Sequence, residues 1–231
     1  MMKEGLAFMH ESTFLKYANK LFGTQEKIKK GKQKPGKRTN KPFELLHMDA
    51  TVVKFQDGTK AFVHLIIDNF SRAILGWKIA RTCSSFLAVQ NLKEVCEKHN
   101  LYYKQFQLLC DNGSENEGEV NIFLLRPDIE IEKQIAQVDV IYSNSMIEAV
   151  NKRLKYYYLF PMQLKNYQHL EKYLPVAIEN ENNRESGVLY GYTPTQVLTD
   201  AVPDKNRFAQ QIKQAKQKRK INNRKTKCQS C

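Results

Sequence analysis

Three carboxylates stand at positions of this sequence where acids are either unusual or well placed for chemistry. Asp49 lies inside an apolar, strand-like run at residues 43–53, and Asp111 directly follows a second such run at residues 106–110. Glu148 falls in the first turn of a predicted helix. A carboxylate inside a hydrophobic strand costs free energy unless it is paired or binds a metal. If the three acids converge, they form a divalent-cation site of the kind that cuts and joins phosphodiesters.

Each acid also has a purely structural interpretation. Asp49 can face solvent from one side of the pleated strand, and Asp111 begins an Asp-Asn-Gly turn of an ordinary kind. Ser145 and Glu148 have the spacing of a capping box, in which the serine caps the helix and the glutamate reaches back to the serine amide. For each acid considered alone, both interpretations stay open.

The helix around Glu148 favours the metal-site hypothesis. Helical positions i, i+4 and i+7 share one face, so Lys152 and Lys155 lie on the face of Glu148. The neighbouring stripe is apolar and predicts a buried edge: Ile147, Val150, Leu154 and Tyr158. A single surface ion pair contributes at most about 1 kcal/mol and explains little of this arrangement. An acid for a metal and lysines for phosphates explain it better.

Two other polar residues, His64 and Asp68, lie in the strand region. Asp68 ends an apolar run and precedes a bend, so we expect it to cap residues 69–72. His64 has the opposite strand parity from Val63 and Leu65, so we expect it to face solvent. The five histidines of the chain show no paired metal-ligand spacing.

The elements that position these residues alternate along the chain. Strands are predicted at about 43–55, 60–69, 73–80, 105–110 and 129–134, and helices at about 12–22, 84–98, 116–126, 145–159 and 167–183. The basic segment after Pro203 is predicted to be helical over part of its length. This order indicates an α/β (α+β) fold with a mixed sheet flanked by helices, and functional groups gather at the strand ends of such sheets.

The distribution of charge points to a polyanionic partner. The formal net charge is +13. Residues 1–41 hold 11 basic and 3 acidic residues, and residues 205–231 hold 10 basic residues and no acid, which leaves 16 basic and 21 acidic residues between them. Basic ends of this kind bind nucleic acids chiefly through counterion release, although a solubilising tail has the same composition.

Cysteine usage and hydropathy predict a soluble intracellular protein. The five cysteines are odd in number and lack the spacing of a disulfide framework, which predicts reduced thiols. Cys228 and Cys231 have C-x-x-C spacing but no second pair, so this spacing alone does not establish a zinc or redox role. No apolar run approaches the roughly 20 residues that span a bilayer, and no signal peptide is recognised.

Several ordered strings resemble one protein family. They are His47-Met48-Asp49-Ala50-Thr51, Ile67-Asp68-Asn69-Phe70-Ser71-Arg72, Leu75-Gly76-Trp77, Cys110-Asp111-Asn112-Gly113-Ser114-Glu115-Asn116, Asn144-Ser145-Met146-Ile147-Glu148, Asn183-Arg184 and Gly191-Tyr192-Thr193-Pro194. Over about residues 42–198 the chain resembles the catalytic core of DDE transposases and retroviral-type integrases, and it looks closest to insertion-sequence transposases with an integrase core domain. The resemblance implies a ribonuclease H-like fold with a mixed five-stranded sheet.

The resemblance also implies roles for individual residues. Asp49, Asp111 and Glu148 would be the catalytic, metal-binding triad, and the 36 residues between the last two are close to the usual spacing in the family. DNA-binding roles are implied for Asn144, Lys152, Arg153 and Lys155. Supporting roles next to the acids are implied for Thr51, Asn112 and Asn116.

The implied function is metal-dependent cleavage of DNA at the ends of a mobile element, followed by strand transfer into target DNA. Two Mg²⁺ or Mn²⁺ ions would act as cofactors without a covalent enzyme intermediate. Without metal, three acids in one pocket repel, so at least one should have a raised pKa. The implied partner is double-stranded DNA, both element ends and target, bound by a homo-oligomer in the bacterial cytoplasm, with the nucleoid and without a membrane.

The predicted domain organisation places the catalytic core at residues 42–200. Residues 1–41 form a helix and a basic linker, which can be the remnant of a helix-turn-helix region, and residues 201–231 form a basic tail. A catalytically silent, truncated fragment that binds DNA is the alternative function, and a plain metal-dependent nuclease of the same fold is a third.

Overall fold

The computed structural model describes residues 11–22 and 36–225. Most of the basic linker and the pair Cys228 and Cys231 lie outside the described residues. The elements in chain order are helix α1 (Glu11–Phe22), strands β1 (Leu45–Lys54), β2 (Lys60–Asp68) and β3 (Ile74–Ala80), helix α2 (Ser85–Lys98), strand β4 (Phe106–Cys110), helix α3 (Glu119–Leu124), strand β5 (Ile131–Ile135), and helices α4 (Ser145–Arg153), α5 (Tyr167–Asn182), α6 (Pro194–Leu198) and α7 (Ala209–Lys225).

The chain divides into two compact units. Residues 34–203 form the larger unit, which holds the sheet and helices α2 to α6. In the other unit, α1 and α7 confirm the helices predicted near both ends of the chain. No helix within the described ranges is long and apolar enough to cross a bilayer.

The five strands form one mixed sheet in the order β3-β2-β1-β4-β5. The first three strands pair antiparallel as two hairpins, whereas β4 runs parallel to β1 and β5 runs parallel to β4. Gly58 closes the first hairpin with φ of 80°, a conformation that glycine adopts without a Cβ clash. The predicted mixed five-stranded sheet flanked by helices is confirmed.

Alternating side chains of the central strands divide the core into two layers. Leu46 and Ile66 pack in the layer that includes α2, whereas Val63 and Leu65 pack in the layer that includes α4 and α5. Both faces of β2 are therefore covered. His64 does have the opposite parity from Val63, but the expectation that it faces solvent is wrong, because its side chain is only 1% exposed. Helix α2 covers this face, and its Asn91 donates a 3.3 Å hydrogen bond to the His64 carbonyl.

Asp68 caps the bend after β2, as predicted. Its Oδ2 accepts hydrogen bonds from the backbone N–H and the hydroxyl of Ser71, at 2.6 and 2.7 Å. Its Oδ1 accepts a 2.7 Å hydrogen bond from the N–H of Phe43. Both carboxylate oxygens are thus used to hold the β2–β3 turn and the chain entering β1.

The N-terminal end of α4, the helix that carries Glu148, does not form the capping box that the sequence allowed. Asn144, not Ser145, is the N-cap residue of α4, and no side chain caps this end. The capping-box interpretation of Ser145 and Glu148 is therefore wrong, because the helix already includes Ser145. Beyond α4 the chain continues as π-helix over Leu154–Leu159, a widened turn that is found frequently at functional sites.

Candidate active site

The register of β1 and β4 places two of the predicted acids side by side. Met48 of β1 pairs with Cys110 of β4 in a parallel arrangement. The residue after each of them in the chain is an acid: Asp49 follows Met48, and Asp111 follows Cys110. Asp49 is half-buried within β1, and Asp111 is half-buried directly after β4. Because the two strands run in the same direction, both carboxylates emerge at the same level of the sheet.

Helix α4 brings the third predicted acid to this edge. Asn151 of α4 donates a 2.7 Å hydrogen bond from Nδ2 to Oδ2 of Asp49, which fixes the helix against β1. Glu148 lies one turn earlier on the same face of α4 and is exposed. The negative charges of Asp111 and Glu148 both raise the pKa of Asp49, so the three acids act on one another.

Asp49 is held in a state that disfavours its charge. Burial is the largest cause and raises the pKa of Asp49 from 3.8 to about 7. Repulsion from Asp111, and from Glu115 and Glu148, contributes to this rise, whereas a backbone hydrogen bond from Ala50 opposes it. The prediction that at least one of the three acids has a raised pKa is therefore confirmed for Asp49.

The donor set suits a hard divalent cation. Carboxylate oxygens are the ligands that Mg²⁺ and Mn²⁺ prefer, and a cation would relieve the repulsion that acts on Asp49. Within residues 11–22 and 36–225, no three His, Cys, Asp or Glu side chains are already grouped closely enough to hold a metal ion. The three acids are thus close enough for charge interaction, and a shared cation would require their side chains to move closer together.

A fourth acid, Glu115, belongs to the same neighbourhood and was missed by sequence reasoning. Its two carboxylate oxygens lie 2.5 and 2.6 Å from the position that a Cβ on Gly113 would take, so the glycine leaves the room that Glu115 occupies. The charge of Glu115 also acts on the pKa of Cys83 and of His64. Its position four residues after Asp111 is the signal that could have identified it.

Asn116 holds the loop of Asp111. Its side chain is buried, and its Nδ2 donates a 2.9 Å hydrogen bond to the Asp111 carbonyl. Thr51 is half-buried two residues after Asp49, hence on the same side of β1, and Asn112 is exposed. The supporting roles of these three residues stay predictions, and the contact of Asn116 fits its role.

A buried polar network lies behind the carboxylates. His47 Nε2 lies 2.8 Å from Nδ2 of Asn69, and His47 Nδ1 lies 2.7 Å from Oδ1 of Asn144. Because the Asn69 amide nitrogen can only donate, Nε2 accepts and the ring proton resides on Nδ1, which donates to Asn144. Burial, with the positive charge of Arg72, lowers the pKa of His47 to about 4 against the opposing hydrogen bond of Asn144.

This network changes the role of Asn144. Its side chain is 1% exposed, accepts from His47, and donates a 3.2 Å hydrogen bond to the Met48 carbonyl. The expected direct contact of Asn144 with DNA does not fit this arrangement, because both ends of the amide are used inside the protein. Asn144 instead ties the start of α4 to β1 directly before Asp49. Sequence spacing gave no sign of the His47 partnership, since its members are far apart in the chain.

The three basic residues predicted to bind DNA have different environments. Lys152 is exposed, with its Nζ 5.9 Å from the centre of the Tyr156 ring. Lys155 is half-buried, and burial lowers its pKa while the charge of Asp49 opposes this change, so it lies near the carboxylates. Arg153 donates a 2.6 Å hydrogen bond from Nε to the buried carboxylate of Glu181 on α5. Arg153 thus has a structural partner on a different flank of α4.

Comparison with known proteins identifies a sequence family for the first part of this unit. Residues 39–120 match the family model of the integrase core domain. The matched segment includes Asp49 and Asp111 and ends before Glu148. A search of curated proteins found no match to the chain.

Solved structures of viral integrases share the fold. The catalytic core domain of HTLV-2 integrase, in complex with magnesium in a trimeric form, is 19% identical with a TM-score of 0.52, and the match covers 69% of this chain and 99% of that one. A chain of the simian T-cell lymphotropic virus intasome, in complex with PP2A regulatory subunit B56 gamma, is 17% identical with a TM-score of 0.55, covering 83% and 76%. The BIV integrase catalytic core domain is 17% identical with a TM-score of 0.50, covering 68% and 94%. Together, the solved structures confirm the ribonuclease H-like fold, and the match to the integrase core domain covers residues 39–120.

Proposed function

Because this chain contains an integrase core domain, we propose that it is a DNA transposase or integrase that cleaves DNA at element ends and transfers the cut strand into target DNA. The observation that supports this proposal is the proximity of Asp49 on β1, Asp111 directly after β4 and Glu148 on α4, because the charges of Asp111 and Glu148 contribute to the raised pKa of Asp49. The anionic form of a buried acid is destabilised by like charges around it, and a cation bound there would stabilise it.

We propose that the three acids hold two Mg²⁺ or Mn²⁺ ions. Bound ions of this kind activate a water or a DNA 3′-hydroxyl and stabilise the leaving oxygen of an in-line displacement. The solved HTLV-2 integrase core is a complex with magnesium. In this chain, Asn151 orients one oxygen of Asp49, and the neutral His47 with Asn144 sets the distance between β1 and the start of α4.

The basic residues next to the acids bind the DNA strand. Lys155, half-buried and under the influence of Asp49, is placed to contact a phosphate near the carboxylates, and the exposed Lys152 is placed one turn away. Joining requires two element ends held together with a target, so the active form is a homo-oligomer on double-stranded DNA. This substrate places the protein with the bacterial nucleoid in the cytoplasm.

A duplex carrying the element's own termini, incubated with Mg²⁺, tests the proposal. Asp49→Ala, Asp111→Ala and Glu148→Ala should each abolish cleavage and joining while DNA binding is largely kept. Glu179→Ala, which removes an exposed acid of α5, is the matched control and should retain activity. Near-normal turnover in any of the three variants would exclude that residue from the catalytic triad.

The same assay separates the alternative functions. Cleavage without joined products identifies a plain metal-dependent nuclease. Binding of the termini without either product identifies a catalytically silent DNA-binding fragment. Joined products that require the divalent ion identify the transposase or integrase.

A further inference from the structure

A basic cavity lies beside α4 on the flank away from the carboxylates. Its volume is about 330 Å³, and its lining includes Arg38, Arg72 and Arg153, together with Ser145 and Met146 at the start of the helix. No acidic residue is among the residues that line it. Arg153 is paired through its Nε with Glu181, but neither the catalytic site nor the core packing accounts for Arg38 and Arg72 at the same cavity.

Arg72 lines this cavity and is buried, and it forms no ion pair with an acid within residues 11–22 and 36–225. It is 7% exposed, and within the described part of the chain its guanidinium contacts the thioether sulfur of Met146. A thioether is a weak acceptor, whereas a guanidinium has five N–H donors. The charge of the nearby Asp68 acts on Arg72, but the hydrogen bonds of its two oxygens go to Phe43 and Ser71. Burial of a charge in this way is unfavourable until an anion arrives.

The backbone at Arg72 adds an independent observation. Its φ is 67°, in the left-handed region that glycine and asparagine adopt more readily than other residues. The turn itself needs only this conformation and the hydrogen bond from the Arg72 N–H to the Asp68 carbonyl. An arginine here is therefore explained by its side chain and not by the turn.

Electrostatics around Arg72 also favour an anion. Burial, the largest cause, and the charges of Arg38 and Arg153 together lower the pKa of Arg72 to about 10, and the charge of Asp68 opposes them. The N-terminal end of α4 contributes partial positive charge, and its N–H groups are not capped by a side chain. An anion with several acceptor oxygens would satisfy both the arginines and the helix end.

We propose that this cavity binds a phosphate of the DNA backbone, on the strand that passes over α4 to the carboxylates. With 100° between successive residues of a helix, Met146 and Arg153 face one flank of α4 and Glu148 and Asn151 face the other. The exposed Ala149 lies between the two flanks. A strand that crosses the exposed side of α4 therefore reaches both the arginines and the acids. The inference rests on the proposed function for the identity of its ligand.

The first experiment uses inorganic phosphate and the full chain. The thermal midpoint of unfolding is measured in phosphate and in chloride at equal ionic strength, and phosphate should raise it. Arg72→Gln and Arg38→Gln should each weaken the apparent phosphate affinity by about tenfold or more, because each removes charge-assisted hydrogen bonds. Arg38 is exposed, so its substitution leaves the core intact. Lys172→Gln removes one exposed charge on α5 and should keep the full response.

The second experiment asks whether the phosphate belongs to DNA. Affinity for a short duplex is measured as a function of salt without divalent ions, and both arginine variants should reduce the slope of log affinity against log salt by about one. A phosphate response that is absent, or that both variants retain, overturns the inference. A phosphate response with unchanged DNA slopes also overturns it, because the ligand is then a free phosphate compound. Since neither measurement involves cleavage, a catalytically silent protein would still give the same answer.

Discussion

Asn151 and Asp49 are joined by a 2.7 Å hydrogen bond that spans 102 positions of the sequence. The bond connects α4 to β1 at the point where the acids meet. It leaves one carboxylate oxygen of Asp49 fixed by an amide donor, so the orientation of the carboxylate is set before any cation binds. In this way a residue that is neither charged nor a metal ligand controls the geometry of the candidate active site.

Removal of this hydrogen bond should weaken metal binding more than DNA binding. We expect Asn151→Ala to raise the Mg²⁺ concentration for half-maximal cleavage by about 10–100-fold, as is typical when a residue that orients a ligand is lost. The measurement is a magnesium titration of cleavage at saturating DNA. Asn180→Ala, at an exposed position of α5, is the control. An unchanged magnesium dependence would limit Asn151 to a packing role.

The stability of the metal-free protein should fall as pH rises through the titration of Asp49. Its pKa is about 7 in the folded chain against an ordinary 3.8, so between these values the folded state holds the proton that the unfolded state has lost. The free energy of unfolding should therefore drop by about 2–4 kcal/mol between pH 4 and pH 8 from this group. Asp49→Asn should remove the loss and be more stable than the native chain at pH 8. Urea unfolding of both proteins at pH 4 and pH 8 measures the free energy of unfolding.

His47 should produce the opposite slope at lower pH. Its pKa is about 4 in the folded chain against an ordinary 6.5, so the unfolded state binds the proton first as pH falls. Stability should decrease by about 3 kcal/mol from pH 7 to pH 4, and this decrease partly cancels the effect of Asp49 in the native chain. The Asp49→Asn background isolates it. NMR of the His47 imidazole C–H signals, assigned by their loss in His47→Gln, supplies the check, because a His47 ring that titrates near pH 6.5 in the folded protein would contradict the buried neutral state.

Local sequence patterns predicted the strands and the acids, but they did not predict which residues from distant segments pack against them. Asp49 was identifiable because an acid within an apolar strand costs free energy unless it is paired or binds a metal. The capping role of Asp68 was identifiable because it ends an apolar run directly before a bend. For His64, strand parity correctly assigned the face, but whether α2 covers that face depends on packing between distant segments. Parity fixes which side of a sheet a residue faces, and only the tertiary structure decides what lies there.

The polar network and the arginine cavity were out of reach for the same reason. His47 and Asn144 are paired across β1 and α4, whereas the resemblance to the family implied a DNA contact for Asn144. Arg72 reads as an ordinary turn residue in the sequence. Its burial follows from the approach of Met146 and residues 36–38, which no local pattern encodes.

Lys155 should contribute one phosphate contact close to the acids. It is half-buried and its charge is balanced by Asp49, so its ammonium is held near the path of the substrate strand. We expect Lys155→Ala to weaken duplex binding and to reduce the salt slope by about one. Lys172→Ala, which removes an exposed charge on α5, should leave the slope unchanged. A Lys155 variant with the native slope would show that this lysine does not contact phosphate.

Glu115 and Gly113 should act as a pair on the charge state of Asp49. The carboxylate of Glu115 fills the space next to Gly113, and its charge raises the pKa of Asp49. Glu115→Gln removes that charge, and Gly113→Ala should push the flexible carboxylate aside. Both changes should lower the pKa of Asp49 and raise the free energy of unfolding of the metal-free protein at pH 8 by about 1 kcal/mol.

Gly187→Ala is the control for the glycine variant, because a Cβ at Gly187 meets no atom within 4 Å. Urea unfolding at pH 8 and pH 5 measures the effect, and the gain should vanish at pH 5, where Asp49 is protonated in all of the proteins. A gain of equal size at both pH values would show that the substitutions act through packing or chain entropy. A different outcome is that Gly113→Ala destabilises the protein at both pH values while Glu115→Gln stabilises it only at pH 8. In that case Gly113 is needed for the conformation of its loop, and it does not control the position of the Glu115 carboxylate.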